Sequence, residues 1–364
     1  MPSKRRNCGL CLLILVIILI GLWWPGFTPN SGLTLPHQMH GQLTGQDATV
    51  DSTAFGVGGT DLGIIVKHGT DFLFFFGDTF ATNSMTGYWR SNTLAISTDT
   101  TPSNGISLDE WIVDPVTGQA KELISSLKID NVEMTCIPTT AVSIDGILYV
   151  YYMSVRHWSS TGGVWTCNNA SIAVSTDDGQ TFSKMTNISW DGDSNFILFS
   201  VAQPYDESDE YLYLLSTPSG RFGSCYLSRV NPMQLLNISA YSYFSGLSLT
   251  NTTTWSTETD DAVPIFSSPV GEVSVMWNEY LNMWTAFYTN NEDFSIVIRT
   301  ADDLWGPWSE PATIVDYTEY PSLYGSYVHP EYVEDNGEIV YFILSIFSEY
   351  NTFVMSVNVS SLVT

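Results

Sequence analysis

An all-β chain, a five-bladed β-propeller behind an N-terminal transmembrane segment, is what this sequence predicts. Three observations carry the prediction. A strand–turn–strand unit recurs five times along the chain. Aromatics make up 13% of the 364 residues, and aromatic and β-branched side chains suit strands. An uncharged apolar run stands at the N-terminus.

That run comes first in order. Lys4, Arg5 and Arg6 precede Cys8–Trp24, whose 17 residues carry no charge. At ~1.5 Å per helical residue they reach across a thin bilayer core. The preceding basic residues predict a cytoplasmic N-terminus and an external remainder, as a single-pass membrane protein. Pro25 ends the helix. A cleaved signal peptide and a secreted product is the alternative, although no Ala-x-Ala site follows. Residues 25–50, rich in Gly, Pro, Ser and Thr, read as a linker and a lead-in strand. Residues 51–364 read as the propeller.

The repeat emerges when strand pairs are aligned. Thr60–Val66 meets the turn at Gly69, then Phe72–Phe76. Pro138–Ile144 meets Asp145-Gly146, then Ile147–Val155. Phe196–Ala202 precedes Tyr211–Leu215, Glu272–Trp277 precedes Met283–Tyr288, and Tyr327–Val333 precedes Ile339–Phe347. The turns lie roughly 55 to 77 residues apart, a spacing suited to blades with insertions. The second strands are nearly continuous apolar runs and are predicted to be buried on both faces. One stretch, 107–128, shows a helical hint through Leu108, Trp111, Ile112, Leu123, Ile124 and Leu127.

Charge is unevenly placed. Beyond the anchor stand nine basic against 38 acidic residues, a net charge near −29. Such a surface repels nucleic acid, whose phosphates need Lys and Arg, and favours solubility. A neutral or basic partner suits it. Of the three external cysteines, Cys136, Cys167 and Cys225, the first two could pair in an oxidising exterior, and the odd count leaves one over. Sequons at Asn169, Asn187, Asn237, Asn251 and Asn358 are about as many as chance supplies in a chain this rich in Ser and Thr.

Ser175-Thr176-Asp177-Asp178-Gly179-Gln180-Thr181-Phe182 is similar to the Asp box of sialidase-like propellers. The Asp binds the backbone of a tight turn, the Gly takes positive φ, and the aromatic ring plugs between strands. It is a structural motif and says little about substrate.

Blade topology makes the chemical prediction. The first strand lines the channel and the second runs back, so the start of one and the end of the other share a rim. Asp61 and Asp78 then meet there. The same rim receives Arg156, His157 and Trp158, then Asp193 and Arg221, then Glu272 with Asn290 and Asn291, then Tyr324 and Glu349. Two carboxylates at one site are what glycoside hydrolysis needs: one donates a proton, the other acts as base or nucleophile. Close like charges raise one pKa and keep a proton available. Glu272 is the candidate third carboxylate. Trp89, Trp158 and Trp165 are candidates to stack on sugar rings, alongside contacts from Arg156, His157, Asn290 and Tyr324. The structural alternative is that Asp61 and Asp78 cap turns beside Gly59, Gly63 and Gly77, and that the tryptophans are core.

Gly59-Thr60-Asp61-Leu62-Gly63, followed by Phe75-Phe76-Gly77-Asp78-Thr79-Phe80, resembles the first blade of a five-bladed propeller family. That family was formerly catalogued as a domain of unknown function and is linked to endo-D-arabinanases. Ile137-Pro138-Thr139, Tyr149–Ser154 and Tyr324–Pro330 add to the likeness, which covers roughly residues 50–360. It implies that Asp61 and Asp78 match the family's paired catalytic aspartates, and that the substrate is an arabinan-like furanoside polysaccharide. The membrane segment and the sequons depart from the pattern of a simple secreted enzyme.

Two other readings stay open. A non-catalytic glycan-binding or adhesion propeller would keep the aromatic mouth without needing apposed carboxylates. A sialidase needs three arginines around a carboxylate; only Arg90, Arg156, Arg221, Arg229 and Arg299 lie beyond the anchor. No metal-ligand spacing and no nucleotide fingerprint is present, and no cofactor is expected. Structural Ca²⁺ at Asp191 and Asp193, or at Asp206, Glu207, Asp209 and Glu210, is the one metal option, against simple solvation of acidic loops.

Overall fold

A computed structural model of the chain describes residues 33–204 and 210–363. Among these residues the strands form five antiparallel sheets. The inner strands are Leu62–His68, Thr135–Ile144, Leu198–Val201, Val273–Asn278 and Leu323–Glu334. Each touches the next and the last touches the first, which closes a ring. This is the five-bladed propeller that the repeat predicts.

The second strands follow the burial prediction. In the first blade Phe72, Leu73, Phe74, Phe75 and Phe76 are all buried. In the last blade, Val340–Ile346 is buried throughout. Strands covered on both faces favour such runs over alternation, and each buried Phe or Leu contributes about 1.5–3 kcal/mol.

The ring closes through His37–Gln42, which pairs antiparallel with Asn351–Asn358 and completes the fifth sheet. Two connections cross the same seam. Thr60 N donates to Tyr350 O at 2.8 Å, and Leu62 N donates to Ser345 Oγ at 2.9 Å.

Register places the rims. Leu62 stands opposite Phe76, Thr135 opposite Val155, Val273 opposite Tyr288 and Leu323 opposite Ile346. Inner-strand starts and second-strand ends therefore share one rim. Three inner strands are irregular just below it. The ladder skips Gly63, Thr139 and Gly325, and bulges of this kind re-aim side chains near functional sites.

The Asp-box turn forms as predicted. Asp177 Oδ1 accepts from Thr181 N at 2.9 Å and from Ser175 Oγ at 2.7 Å, and its Oδ2 accepts from Thr181 Oγ1 at 2.6 Å. Gly179 has φ +81°. Phe182 packs edge-on against Phe75 of the first blade at 6.0 Å.

Two expectations are corrected. No helix forms over 107–128, where the structure has a two-residue strand, Glu110–Trp111, and irregular chain. Pro115 and Gly118 oppose a helix, and Asn92 holds the segment in place. Its Nδ2 donates to Ile124 O at 2.7 Å, and its Oδ1 accepts from Leu123 N and Ile124 N at 3.0 and 2.8 Å. The apolar spacing reflects burial of an insertion against the first blade, with Leu127 left exposed.

Cys136 and Cys167 are not paired; they and Cys225 are free and buried. Cys136 faces Ser154 across one ladder and Cys167 faces Val155 across the next. A full strand therefore lies between them. Two strand spacings amount to ~9.5 Å, beyond the Cα separation a disulfide spans.

Among the described residues no helix is long and apolar enough to cross a membrane. The expected anchor, Cys8–Trp24, lies outside the described residues, as do Asp206, Glu207 and Asp209. Among the described residues no group of three His, Cys, Asp or Glu side chains gathers as a cation site.

Candidate active site

Asp61 immediately precedes the first inner strand, and Asp78 follows Gly77 beyond the second. Gly77 N donates to Asp61 O at 3.0 Å, and Phe80 N to Gly59 O at 2.8 Å, so the two segments run side by side. Thr60 Oγ1 and Thr79 Oγ1, 2.7 Å apart, tie them further. The side chains are held differently. Asp61 Oδ2 accepts from Tyr324 Oη of the fifth blade at 2.8 Å, while Asp61 Oδ1 is buried with no hydrogen-bond partner among the described residues. A Cβ on Gly77 would stand 2.3 Å from that oxygen, so only glycine lets the carboxylate lie there. Asp78 Oδ1 accepts from Thr135 Oγ1 of the second blade at 2.6 Å and from Trp89 Nε1 at 2.8 Å.

Both carboxyls are partly buried and both are raised. Burial pushes Asp61 up to about 7; the Asp78 charge adds to this and the Tyr324 hydrogen bond opposes it. Burial likewise pushes Asp78 up to about 6, against hydrogen bonds from Thr135 and Trp89 and the charge of Lys128, with Glu122 adding to the rise. Two coupled acids in this range titrate as a pair. With both raised toward neutrality, one carboxyl can give a proton while the other takes one, as acid–base chemistry on a glycosidic oxygen requires.

Glu272 reaches the same cluster in a different state. Both its oxygens accept from Arg221 Nε at 2.9 Å, and Oε1 also accepts from Arg221 Nη2 at 2.7 Å. The pair is largely buried, and such bidentate geometry compensates both charges. The guanidinium lies 4.6 Å from the Tyr324 ring centroid and 5.6 Å from that of Trp165. A chain of contacts thus runs from Glu272 through Arg221 and Tyr324 to Asp61.

The other predicted residues divide. Trp89 belongs to the site, but its ring stacks on Phe80 at 6.0 Å and lies under Lys128 Nζ at 5.0 Å, so its placement is that of a support for Asp78. Trp165 is buried and meets Trp158 edge-on at 5.3 Å. Asn290 is buried, its Oδ1 accepting from Glu292 N at 3.2 Å. Arg156 and His157 turn to the preceding loop. Arg156 Nε donates to Asn131 O at 3.2 Å, and His157 Nδ1 meets Asp130 Oδ1 at 2.6 Å.

Sequence reasoning missed Thr135, Lys128 and Tyr350. Thr135 opens an inner strand at the correct rim, so the blade arithmetic contained it. Lys128, paired with Glu122, sat in the segment read as a helix. Tyr350 is buried beside both aspartates, whose charges help push its phenol well above the ordinary range. The five arginines beyond residue 24 do not gather. Arg90 is buried and donates to Gly56 O and Ala120 O, Arg229 lies between Tyr211 and Trp255, and Arg299 Nε donates to Tyr288 Oη at 2.9 Å. The three-arginine clamp of a sialidase does not form among the described residues.

A family described as "Domain of unknown function (DUF4185)" matches residues 47–356. No curated protein matches the chain. Among solved structures, a Bacteroides ovatus protein provisionally described as a hydrolase superposes with TM-score 0.60 at 12% identity, covering 83% of this chain and 86% of its own. An exo-β-1,3-galactanase from Phanerochaete chrysosporium, solved with β-1,3-galactotriose, gives TM-score 0.55 at 13% identity over 89% of this chain; the match spans 65% of the galactanase. At such identities the likeness is one of fold: a propeller shared with glycoside hydrolases.

Proposed function

We propose, from the premise that the chain belongs to the DUF4185 family, that it is a glycoside hydrolase cleaving a neutral, arabinan-like furanoside polysaccharide within its chain. The observation that carries this reading is the coupled pair Asp61 and Asp78, both raised toward neutrality at one rim of the channel. One carboxyl protonates the leaving oxygen; the other activates water or attacks the sugar. The general coincidence of perturbed carboxyls with catalytic sites supports it, as does a fold shared with glycoside hydrolases.

In this reading Glu272 is not a third acid. Its carboxylate is committed to Arg221, and the pair positions Tyr324 against Asp61. A neutral substrate fits, because Arg221 is compensated and the chain is strongly acidic. The propeller works outside the membrane, tethered by the segment Cys8–Trp24.

The test is incubation of the chain with a panel of arabinans and other furanoside polymers, with products read by mass spectrometry. Internal cleavage that disappears in both Asp61→Asn and Asp78→Asn is the expected result. Full activity in both variants would sink the assignment. Glycan binding without cleavage across the panel would favour an adhesion propeller.

A further inference from the structure

The channel has a second mouth, at the rim opposite the aspartates. Between the two it narrows to a waist lined by Ile64, Thr140, Ser200, Ser274 and Tyr327, where a void of only about 10 Å³ remains. That is room for about one water, so the mouths do not share a ligand. Below the waist opens a cavity of about 540 Å³, within the range of small-molecule sites.

Its lining joins an aromatic wall, apolar surface and two buried polar side chains, Asn278 and His329, of which Asn278 already bonds Gly337 O and Leu281 N. Trp277 lines it, with its indole held edge-on to Trp284 at 5.6 Å. Val66, Val142, Val201 and Met276 supply apolar surface. His329 lines it too and is only 4% exposed. Its Nδ1 accepts from Glu331 N at 3.2 Å, which leaves the ring proton on Nε2. Phe72 packs edge-on against the imidazole at 5.3 Å. Burial, aided by Lys67, holds His329 down at about 3, so it stays a neutral donor under ordinary conditions.

The rim selects by charge. Lys67 Nζ meets Glu331 Oε2 at 3.0 Å and stands 3.9 Å over the Phe72 ring, so its charge is spent. Glu279, exposed at the same rim, repels anions. A cation gains nothing from a neutral imidazole N–H among the lining residues. A ligand with oxygen acceptors and an apolar face satisfies both ends, and a sugar ring has that chemistry.

We propose that this lower mouth is a second carbohydrate site, taking one or two neutral sugar units and separate from the carboxylate mouth. It stands independently of the hydrolytic reading, because it invokes no residue of that site and needs no turnover.

The experiment uses the full chain with Asp61→Asn and Asp78→Asn, which removes hydrolysis as a complication. D-arabinose, D-xylose, D-galactose and xylotriose are titrated in turn, with calorimetry and the His329 imidazole resonances as readouts. Saturable binding by at least one sugar, with a shift of the His329 signals, is expected. Trp277→Ala weakens it about tenfold, and Trp277→Phe, which keeps a ring, less; circular dichroism checks the fold of each. The same titration of the unsubstituted chain reads His329 directly, so the outcome does not hang on a variant. No His329 shift with any sugar up to about 50 mM, a concentration well above that for weak sites, overturns the proposal. So does sugar binding that Trp277→Ala leaves unchanged, which assigns it to the upper mouth. Tighter binding of glucuronate or choline than of any neutral sugar overturns the ligand class.

Discussion

Asp177 and the pair Asp61–Asp78 are carboxylates beside glycines at strand ends, and in the sequence they look alike. The structure separates them by what each oxygen touches. Asp177 is exposed, and hydrogen bonds on both its oxygens hold it below the usual carboxylate range, Thr181 foremost. It is a satisfied turn. Asp61 has one oxygen bound by a tyrosine and one buried without a partner among the described residues, and its neighbour Asp78 adds repulsion. A turn gains nothing from such an arrangement. Unsatisfied polar groups cost stability, and strain of this kind collects where chemistry is done.

The largest effects should break the comparison outright. Asp61→Asn or Asp78→Asn is expected to lower the hydrolytic rate on the order of 10²–10⁴-fold, measured on a cleaved polymer, with binding retained. Stability should move the other way. A folded-state value raised to about 7 at Asp61 means that its stabilising contribution is present below the unfolded value and is lost as pH rises through 7. Asp61→Asn should therefore raise the melting temperature at pH 8, by the equivalent of about 2 kcal/mol after allowance for partial exposure, and much less at pH 4.

Asp177→Asn should do the reverse. Loss of its turn bonds is expected to cost about 1 kcal/mol at neutral pH, read by chemical denaturation, with kcat unchanged. That contribution exists above the unfolded carboxyl value and fades as pH falls through the lower folded one. An equal loss of kcat in this variant would erase the distinction between the two kinds of carboxylate.

A smaller effect sharpens the picture within the pair. The wild-type pH–rate profile should be a narrow bell spanning about 6 to 7, the values of the two carboxyls. Trp89→Phe removes a hydrogen bond that lowers Asp78, so the limb governed by Asp78 should move to higher pH. Lys128→Met should shift the same limb in the same direction but less, since Lys128 ranks below Trp89 among the groups that lower Asp78. An unmoved profile in both would mean that Asp78 does not govern the limb.

Much of this was legible in the chain. The five strand pairs were readable because buried second strands leave long apolar runs, as in Asp71–Phe76 and Ile339–Ile346. Asp61 and Asp78 were readable because a two-strand unit returns to its own rim. Pairing between distant segments was harder. Nothing local distinguishes His37–Gln42 as the outer strand of the last blade, or Arg221 as the partner of Glu272, 51 residues away. The helical hint at 107–128 misled because an insertion packed on a sheet also buries Leu and Ile at irregular intervals. Cys136 and Cys167 were readable as neighbours, but not as neighbours with a strand between them.

The seam between the fifth and first blades has a consequence for how the protein comes into being. His37–Gln42 is synthesised before Asn351–Asn358, yet they are partners. The circle cannot shut until the last blade has left the ribosome. Asp61 is made early and waits for Tyr324, which lies 263 positions later and on the other side of that seam. The cluster around the aspartates is therefore among the last parts to be assembled. A nascent or prematurely terminated chain lacks the tyrosine contact, so a chain cut short anywhere ahead of the last blade is not merely less stable; its Asp61 carboxyl has lost the partner that holds Oδ2.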